Sequence, residues 1–223
     1  MKKKSNKLKR KEKFDLKELI PIFIILFMFS ISIFLYNKMP DQMPTHWNFE
    51  GEIDGYGSKF TGLLLMPIIT LGIYFLMSII PYIAVYKKNI KAFYFYYFGF
   101  KILFILFMLI LYILALLPNF NIMINMNHAI IPFIAIILFF SGFLMEKSKR
   151  NYFIGIRTPW TLSSDKVWNK THKVGAKGFK IISLMMFISA FIGKFAIIFS
   201  VSILILFIVY VFIYSYLIFK ENN

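Results

Sequence analysis

The stretch FAIIFSVSILILFIVYVFIYSYLIF, residues 195–219, decides the fold class because it contains no charged side chain. A helix needs about 20 mainly apolar residues to cross the hydrocarbon core of a bilayer, which is ~30 Å thick. Five more apolar blocks precede this one, at residues 19–36, 61–86, 102–117, 129–145 and 179–193. The pattern predicts an all-α, polytopic integral membrane protein with about six transmembrane helices.

The composition of the 223-residue chain excludes a water-soluble globule. Hydrophobic residues make up 59% of it and charged residues 16%, against roughly 45–50% and about 25% in soluble proteins. The absence of cysteine excludes disulfides, thiolate catalysis and iron–sulfur clusters.

The basic residues indicate the orientation in the membrane. Of the 26 Lys and Arg residues, 23 lie in the N-terminal tail, at 87–101, at 147–180 and at the C-terminus, and the others are Lys38, Lys59 and Lys194. Cytoplasmic loops carry the excess of basic residues, so both termini are expected in the cytoplasm. Because this rule already explains the net charge of +16, nucleic-acid binding is not expected.

The chain divides into five regions. Residues 1–18 form a basic cytoplasmic tail, and residues 19–86 hold the first two spans with a structured outer loop at 37–60. Residues 87–128 hold the third span and a short outer loop, where the aromatic residues 93–100 extend the helix and Lys101 snorkels to the inner interface. Residues 129–219 hold the last three spans with a cytoplasmic segment at 146–178, and residues 220–223 form a second cytoplasmic tail.

The outer loop contains five turn-forming Pro and Gly residues. We expect a tight turn at Asp54 and Gly55. The loop is either a folded cap over the first two spans or a ligand-facing surface. His46 has no second His or Cys at ligand spacing, so no metal site is predicted.

The inner segment predicts an interfacial helix. Ser163 or Ser164 is a suitable N-cap, and the following lysines lie on one face at spacings of four, three and four. These residues, which we expect to contact anionic lipid, are Lys166, Lys170, Lys173 and Lys177. Gly175 and Gly178 are expected to hinge this helix into the fifth span.

The chain shows no catalytic constellation and no cofactor motif. Arg157 and His172 have no carboxylate or nucleophile nearby in sequence with which to form an acid–base pair. No ionisable residue lies near the middle of a predicted span, which disfavours a coupled transporter. A transporter or exporter of a peptide or lipid remains the alternative to a binding protein.

Two motifs resemble a known family. The inner stretch NYFIGIRTPWTLSSDKVWNKTHKVG, residues 151–175, resembles the signature of the SdpI family, bacterial membrane proteins named for immunity to the sporulation-delaying toxin. The outer loop resembles the domain of unknown function, DUF1648-like, that often precedes this signature.

The resemblance implies a receptor and immunity protein of the bacterial cell membrane, not an enzyme. It implies that the protein gives resistance to a secreted peptide toxin and, when engaged, captures a cytoplasmic winged-helix repressor at the membrane. The inner candidates for partner binding are Gly155, Arg157, Thr158, Pro159, Trp160, Trp168 and His172. The outer candidates are Pro44, His46, Trp47, Asn48, Gly51, Asp54, Gly55 and Tyr56.

Overall fold

The computed structural model describes residues 15–191, 193 and 195–222. Besides two short 3-10 turns at Leu16–Glu18 and Leu117–Phe120, these residues form eight α-helices and one β-hairpin. The helices are α1 (Leu19–Leu35), α2 (Lys59–Ile83), α3 (Lys87–Ala92), α4 (Tyr94–Leu116), α5 (Met126–Lys147), α6 (Pro159–Ser163), α7 (Asp165–Ser189) and α8 (Ala196–Glu221), and the hairpin strands are β1 (Gln42–Trp47) and β2 (Ile53–Ser58). Lys194, one of the three predicted outer basic residues, lies outside the described residues.

Five of the helices are long and apolar enough to cross a membrane. They are α1, α2, α4, α5 and α8. Large apolar side chains on them are exposed, such as Phe23 at 70% and Leu206 at 70%, which suits helices that face lipid. The predicted class, an all-α polytopic membrane protein, is confirmed, and α4 extends through the aromatic stretch as expected.

Helix α7 differs from the prediction. A separate interfacial helix hinged to a fifth span was expected, but α7 is one continuous helix from Asp165 to Ser189. An added Cβ at Gly175 would overlap Ile156, and one at Gly178 would overlap Phe207 of α8. These glycines therefore allow close packing, and the predicted hinge is wrong.

The connections between the long helices separate into two ends. At one end, the backbone N–H of Met126 donates to Gly51 O (3.1 Å), and Ala190 and Ala196 pack in one cluster with Ile131. At the other end, the Asn89 side chain donates to Arg150 O (2.6 Å). Helix α7 runs between these ends beside α5 and α8. Because its first half is polar, α7 is not among the five helices that are apolar enough to cross a membrane. The count of six spans therefore stays a prediction, as does the side of the membrane on which each terminus lies.

Lys101 is buried. Its Nζ atom donates to the two carboxylate oxygens of Glu18 at 2.6 and 2.7 Å and to the Ser78 hydroxyl at 3.3 Å. Its side chain is only 1% exposed. The expectation that Lys101 snorkels to the interface is wrong, because Glu18 at the start of α1 provides a nearer anionic partner.

The outer loop folds into an antiparallel hairpin that pairs Gln42 with Ser58 and Trp47 with Ile53. Asp54 and Gly55 lie within β2, so the turn predicted there is wrong. The turn lies at residues 48–52, where the Asn48 carboxamide oxygen accepts from the backbone N–H groups of Glu50 (2.9 Å) and Glu52 (3.0 Å). Gly51 supplies the required positive φ of 81°.

Candidate functional site

The hairpin turn is docked on the start of α5. The Asn125 side chain donates to Glu50 O and the Asn127 side chain donates to Phe49 O, each at 2.6 Å. An added Cβ at Gly51 would lie 2.5 Å from the Asn125 side-chain oxygen, so this close approach requires glycine. The N-terminal region of the chain is thereby fastened to the helix that leads into the inner segment.

The outer candidates divide into buried and exposed residues. Pro44 and Gly51 are buried, whereas Trp47, Asn48 and Gly55 are partly buried. His46 and Asp54 are exposed and joined by an Nδ1 to Oδ1 contact of 2.6 Å. Tyr56 is 62% exposed and Phe49, which the sequence reasoning did not single out, is 78% exposed. Among the described residues no three His, Asp or Glu side chains could together hold a metal ion.

On the inner side, Asn151 shapes the loop that follows α5. Its carboxamide oxygen accepts from the backbone N–H groups of Phe153 (2.8 Å) and Ile154 (2.7 Å). Its amide group donates to Lys149 O (2.8 Å) and Ile154 O (3.0 Å). Asn151 is fully buried. It was not among the predicted site residues, although an Asn that begins a loop is a recognised turn signal.

His172 holds this loop against α7. Its Nδ1 lies 2.8 Å from Trp168 O, and since a carbonyl can only accept, Nδ1 carries the proton. Its Nε2 accepts from the backbone N–H of Ile156 at 3.0 Å. The imidazole also stacks on the indole of Trp168, with ring centroids 3.9 Å apart. Burial lowers the pKa of His172 to about 4, so the ring is neutral at pH 7.

Trp168 and Gly155 complete this contact. The indole N–H of Trp168 donates to Ser148 O (3.1 Å) and so connects α7 to the end of α5. Gly155 has a φ of 112°, and an added Cβ there would overlap Nε2 of His172. The identities of these residues thus have structural reasons. Trp168 and His172 stack on each other, and the backbone at Gly155 passes too close to His172 for a side chain.

Thr158, Pro159 and Trp160 connect the loop to α8. Thr158 caps α6 in a capping box with Thr161, and its hydroxyl lies 3.1 Å from that of Ser215. The Trp160 ring packs against two aromatic rings of α8, those of Phe212 and Tyr216, each at 5.1 Å between centroids. Thr158 is buried, whereas Pro159 is exposed and Trp160 is partly buried.

Arg157 is the exposed basic residue of the inner candidates. One guanidinium nitrogen, Nη1, donates to Tyr152 O at 2.8 Å. Gly155 and Arg157 both line an apolar cavity between the loop and helices α2, α4 and α5. The structure therefore brings the seven inner candidates together, but it buries Thr158, Trp168 and His172 within the protein.

The four lysines of the predicted stripe are exposed on one face of α7. The opposite face, which contains Val167, Trp168 and Thr171, is buried against the protein. Contact of the stripe with lipid stays a prediction.

The fold and this site define a class of protein: a multi-pass helical membrane protein whose outer hairpin and inner loop are fastened to opposite ends of one helix, α5. Its position in a bacterial cell membrane follows from the apolar helices together with the matches below.

Comparison with known proteins finds two matching family profiles and a relative similar along most of the chain. The profile of the SdpI/YfhL protein family matches residues 147–219, and that of the domain of unknown function DUF1648 matches residues 23–71. The chain is 28% identical over 214 residues to "Immunity protein SdpI" of Bacillus subtilis (strain 168), an alignment that covers 93% of this chain and 98% of that protein. The chain is thus similar to the SdpI/YfhL family over residues 147–219 and to DUF1648 over residues 23–71. No solved structure matches it.

Proposed function

We propose that this protein is a membrane immunity protein that protects the bacterium carrying it from a secreted peptide toxin. The observation that carries the proposal is the similarity to an immunity protein along 93% of the chain. That alignment is long enough to include most of the outer hairpin, α5 and the inner loop, so it concerns the whole arrangement of the site and not one motif.

The outer hairpin is the part that we expect to meet the toxin. It exposes two large aromatic side chains, Phe49 and Tyr56, and aromatic residues are enriched where proteins bind partners. Its acidic side chains Glu50 and Glu52 are exposed and form no ion pair within the described part of the chain. This surface suits a peptide with apolar and basic side chains.

Helix α5 offers a physical connection from the hairpin to the inner loop. Its first residues hold the hairpin turn through Asn125 and Asn127. Immediately after its last turn, Ser148 O accepts the indole N–H of Trp168. A toxin that shifts the hairpin would thus move a helix whose other end holds the inner loop, and we expect the signal to pass along this helix.

The finer proposal is that the inner face captures a cytoplasmic winged-helix repressor when toxin is bound. The exposed residues available to such a partner are Arg157, Pro159 and the lysine stripe. The buried candidates Thr158, Trp168 and His172 act indirectly, because they hold the loop in place.

Survival under toxin tests the immunity function. The chain is expressed in a Bacillus subtilis strain that lacks its own Immunity protein SdpI, and survival is measured against increasing amounts of the sporulation-delaying toxin. We expect protection relative to the empty vector. No protection despite normal abundance in the membrane would contradict the assignment for this toxin, and a second secreted toxin encoded beside the gene would then be the required probe.

Repressor capture needs a separate measurement. A tagged winged-helix repressor is expressed with the chain, and its amount in the membrane fraction is compared with and without toxin. We expect toxin-dependent recruitment that an Arg157→Gln/Pro159→Ala variant reduces, while the exposed-lysine variant Lys149→Gln serves as the control. Equal recruitment with and without toxin would contradict the signalling step and leave immunity unaffected.

A further inference from the structure

An apolar cavity lies beneath the inner loop. Its volume is about 370 Å³, and its lining includes Met77 of α2, Phe100 of α4, Leu144 of α5, Ile154 of the loop and Arg157. Its two wall hydroxyl groups already have partners: Tyr97 donates to Met77 O and Ser141 donates to Ile137 O. The cavity wall thus offers an apolar environment with one charged group.

A groove on the outside of the protein adjoins this cavity. It lies between α4 and α5, has a volume of about 500 Å³, and shares Phe100 and Leu144 with the cavity. Its other walls include Phe95, Leu106 and Phe140, which are 79%, 39% and 49% exposed. These side chains lie on helices that are apolar enough to span the membrane, so the groove opens towards the lipid.

The length of the groove matches one leaflet of a bilayer. From Phe95 to Leu106, α4 rises by roughly 16 Å at about 1.5 Å per residue. The hydrocarbon core of a bilayer is ~30 Å thick, so one leaflet contributes about 15 Å. The groove therefore has room for one acyl chain that extends from the headgroup level to the middle of the membrane.

Arg157 is the charged residue in the cavity wall and is therefore the candidate for contact with a headgroup. It belongs to the loop that follows Lys147, the last residue of α5. Nη1 donates to Tyr152 O, and no carboxylate in the described part of the chain forms an ion pair with the guanidinium. A guanidinium binds phosphate through two parallel N–H donors, which a lysine ammonium cannot do.

We propose that the cavity and groove form a binding site for one anionic phospholipid of the inner leaflet. The acyl chain lies in the groove between α4 and α5 and reaches the cavity, and the phosphate binds the guanidinium of Arg157. The lipid then fills the space under the loop that His172 and Asn151 hold in place. This site does not depend on the immunity function.

Lipid retention by the purified full-length chain tests the proposal. The protein in detergent is titrated with phosphatidylglycerol, and native mass spectrometry counts the lipids that stay bound. We expect one tightly retained lipid and at least a tenfold weaker affinity for Arg157→Gln. The matched control is Lys149→Gln, which removes an exposed inner charge that does not line the cavity. Equal retention by both variants would overturn the proposal.

Two competitors separate the parts of the lipid. Diacylglycerol, which lacks phosphate, and glycerophosphate, which lacks acyl chains, should each displace phosphatidylglycerol poorly. Full displacement by glycerophosphate would overturn the proposal in favour of a free-phosphate site, and full displacement by diacylglycerol would overturn the role of Arg157.

A second variant tests the cavity without changing charge. Ser141→Phe places a ring in the cavity and should reduce retention in the same assay, with an unchanged unfolding temperature in lipid-free detergent as the control for folding. In cells, a photocrosslinking amino acid at position 141 should form an adduct with lipid. An adduct with a polypeptide instead would show that a protein segment occupies the cavity and would overturn the proposal.

Discussion

Gly155→Ala is the substitution that tests the inner site most sharply. Gly155 has a φ of 112°. A residue with a side chain adopts this backbone conformation only at a cost of order 1–3 kcal/mol. The added methyl group would also overlap Nε2 of His172, and overpacking of this kind costs about 1–3 kcal/mol. Together the two effects should lower the free energy of unfolding by about 2–6 kcal/mol.

The assay is thermal unfolding of the purified protein, followed by tryptophan fluorescence, since Trp168 lies in the disturbed contact. For a chain of this size 1 kcal/mol corresponds to roughly 2–4 °C, so Gly155→Ala should lower Tm by about 4–24 °C. Gly72→Ala is the matched control: it lies inside α2 and its added Cβ meets no atom within 4 Å. Alanine favours the helix by about 1 kcal/mol relative to glycine, so the Tm of the Gly72→Ala control should equal or exceed that of the parent protein. A Gly155→Ala variant as stable as the parent would refute the described loop geometry.

Three further predictions concern ionisable side chains. Lys101→Met leaves Glu18 without its partner and should lower stability by about 3–5 kcal/mol, whereas Lys101→Met/Glu18→Leu should recover most of this loss in thermal unfolding; equal loss in both variants would contradict the buried ion pair. Because the folded-state pKa of His172 is about 4 and that of an unfolded His is about 6.5, unfolding takes up a proton between these values. Stability should therefore fall as the pH is lowered from about 7 to 4, and His172→Gln should flatten this part of the pH profile of Tm; an unchanged profile would contradict a buried neutral imidazole. Replacing Lys166, Lys170, Lys173 and Lys177 by Gln should weaken the contact of α7 with anionic lipid by up to about 1 kcal/mol per residue, and unchanged protection of the segment from proteolysis in anionic vesicles would count against lipid contact.

The apolar blocks predict the long helices well because the bilayer imposes one length and one composition on each span. The block at 195–219, for example, corresponds to α8 at Ala196–Glu221. The motif at 151–175 likewise predicted the match to the SdpI/YfhL family profile, which covers residues 147–219. These features depend on local sequence alone.

The hairpin was less accessible to sequence reasoning. Pro44 lies in β1, and Gly55 and Gly57 lie in β2, although Pro and Gly are depleted in strands. The turn between the strands is also held by Asn125 and Asn127, which are about 75 residues distant in sequence. Such a long-range contact leaves no local pattern.

The same limit applies to the inner site. His172 and Trp168 were chosen as partner-binding candidates, but nothing in the sequence indicates that they stack on each other in the interior. Lys101 was expected at the interface because a lone lysine in an apolar helix usually extends to water. Its partner Glu18 is 83 residues away, so only the packing of α1 beside α4 reveals the pair.

The central claim is that the docked hairpin is part of a toxin-immunity protein, and survival under toxin tests it most directly. Asn125→Ala/Asn127→Ala removes two side-chain hydrogen bonds to the hairpin turn, at about 0.5–1.5 kcal/mol each. Asn119→Ala is the matched control, because its side chain donates only to Leu116 O at the end of α4. In the sensitive Bacillus subtilis strain, the parent and the control should protect, and the double variant should protect less at equal membrane abundance. A parent chain that is abundant in the membrane and gives no protection from any secreted peptide toxin tested would contradict the account.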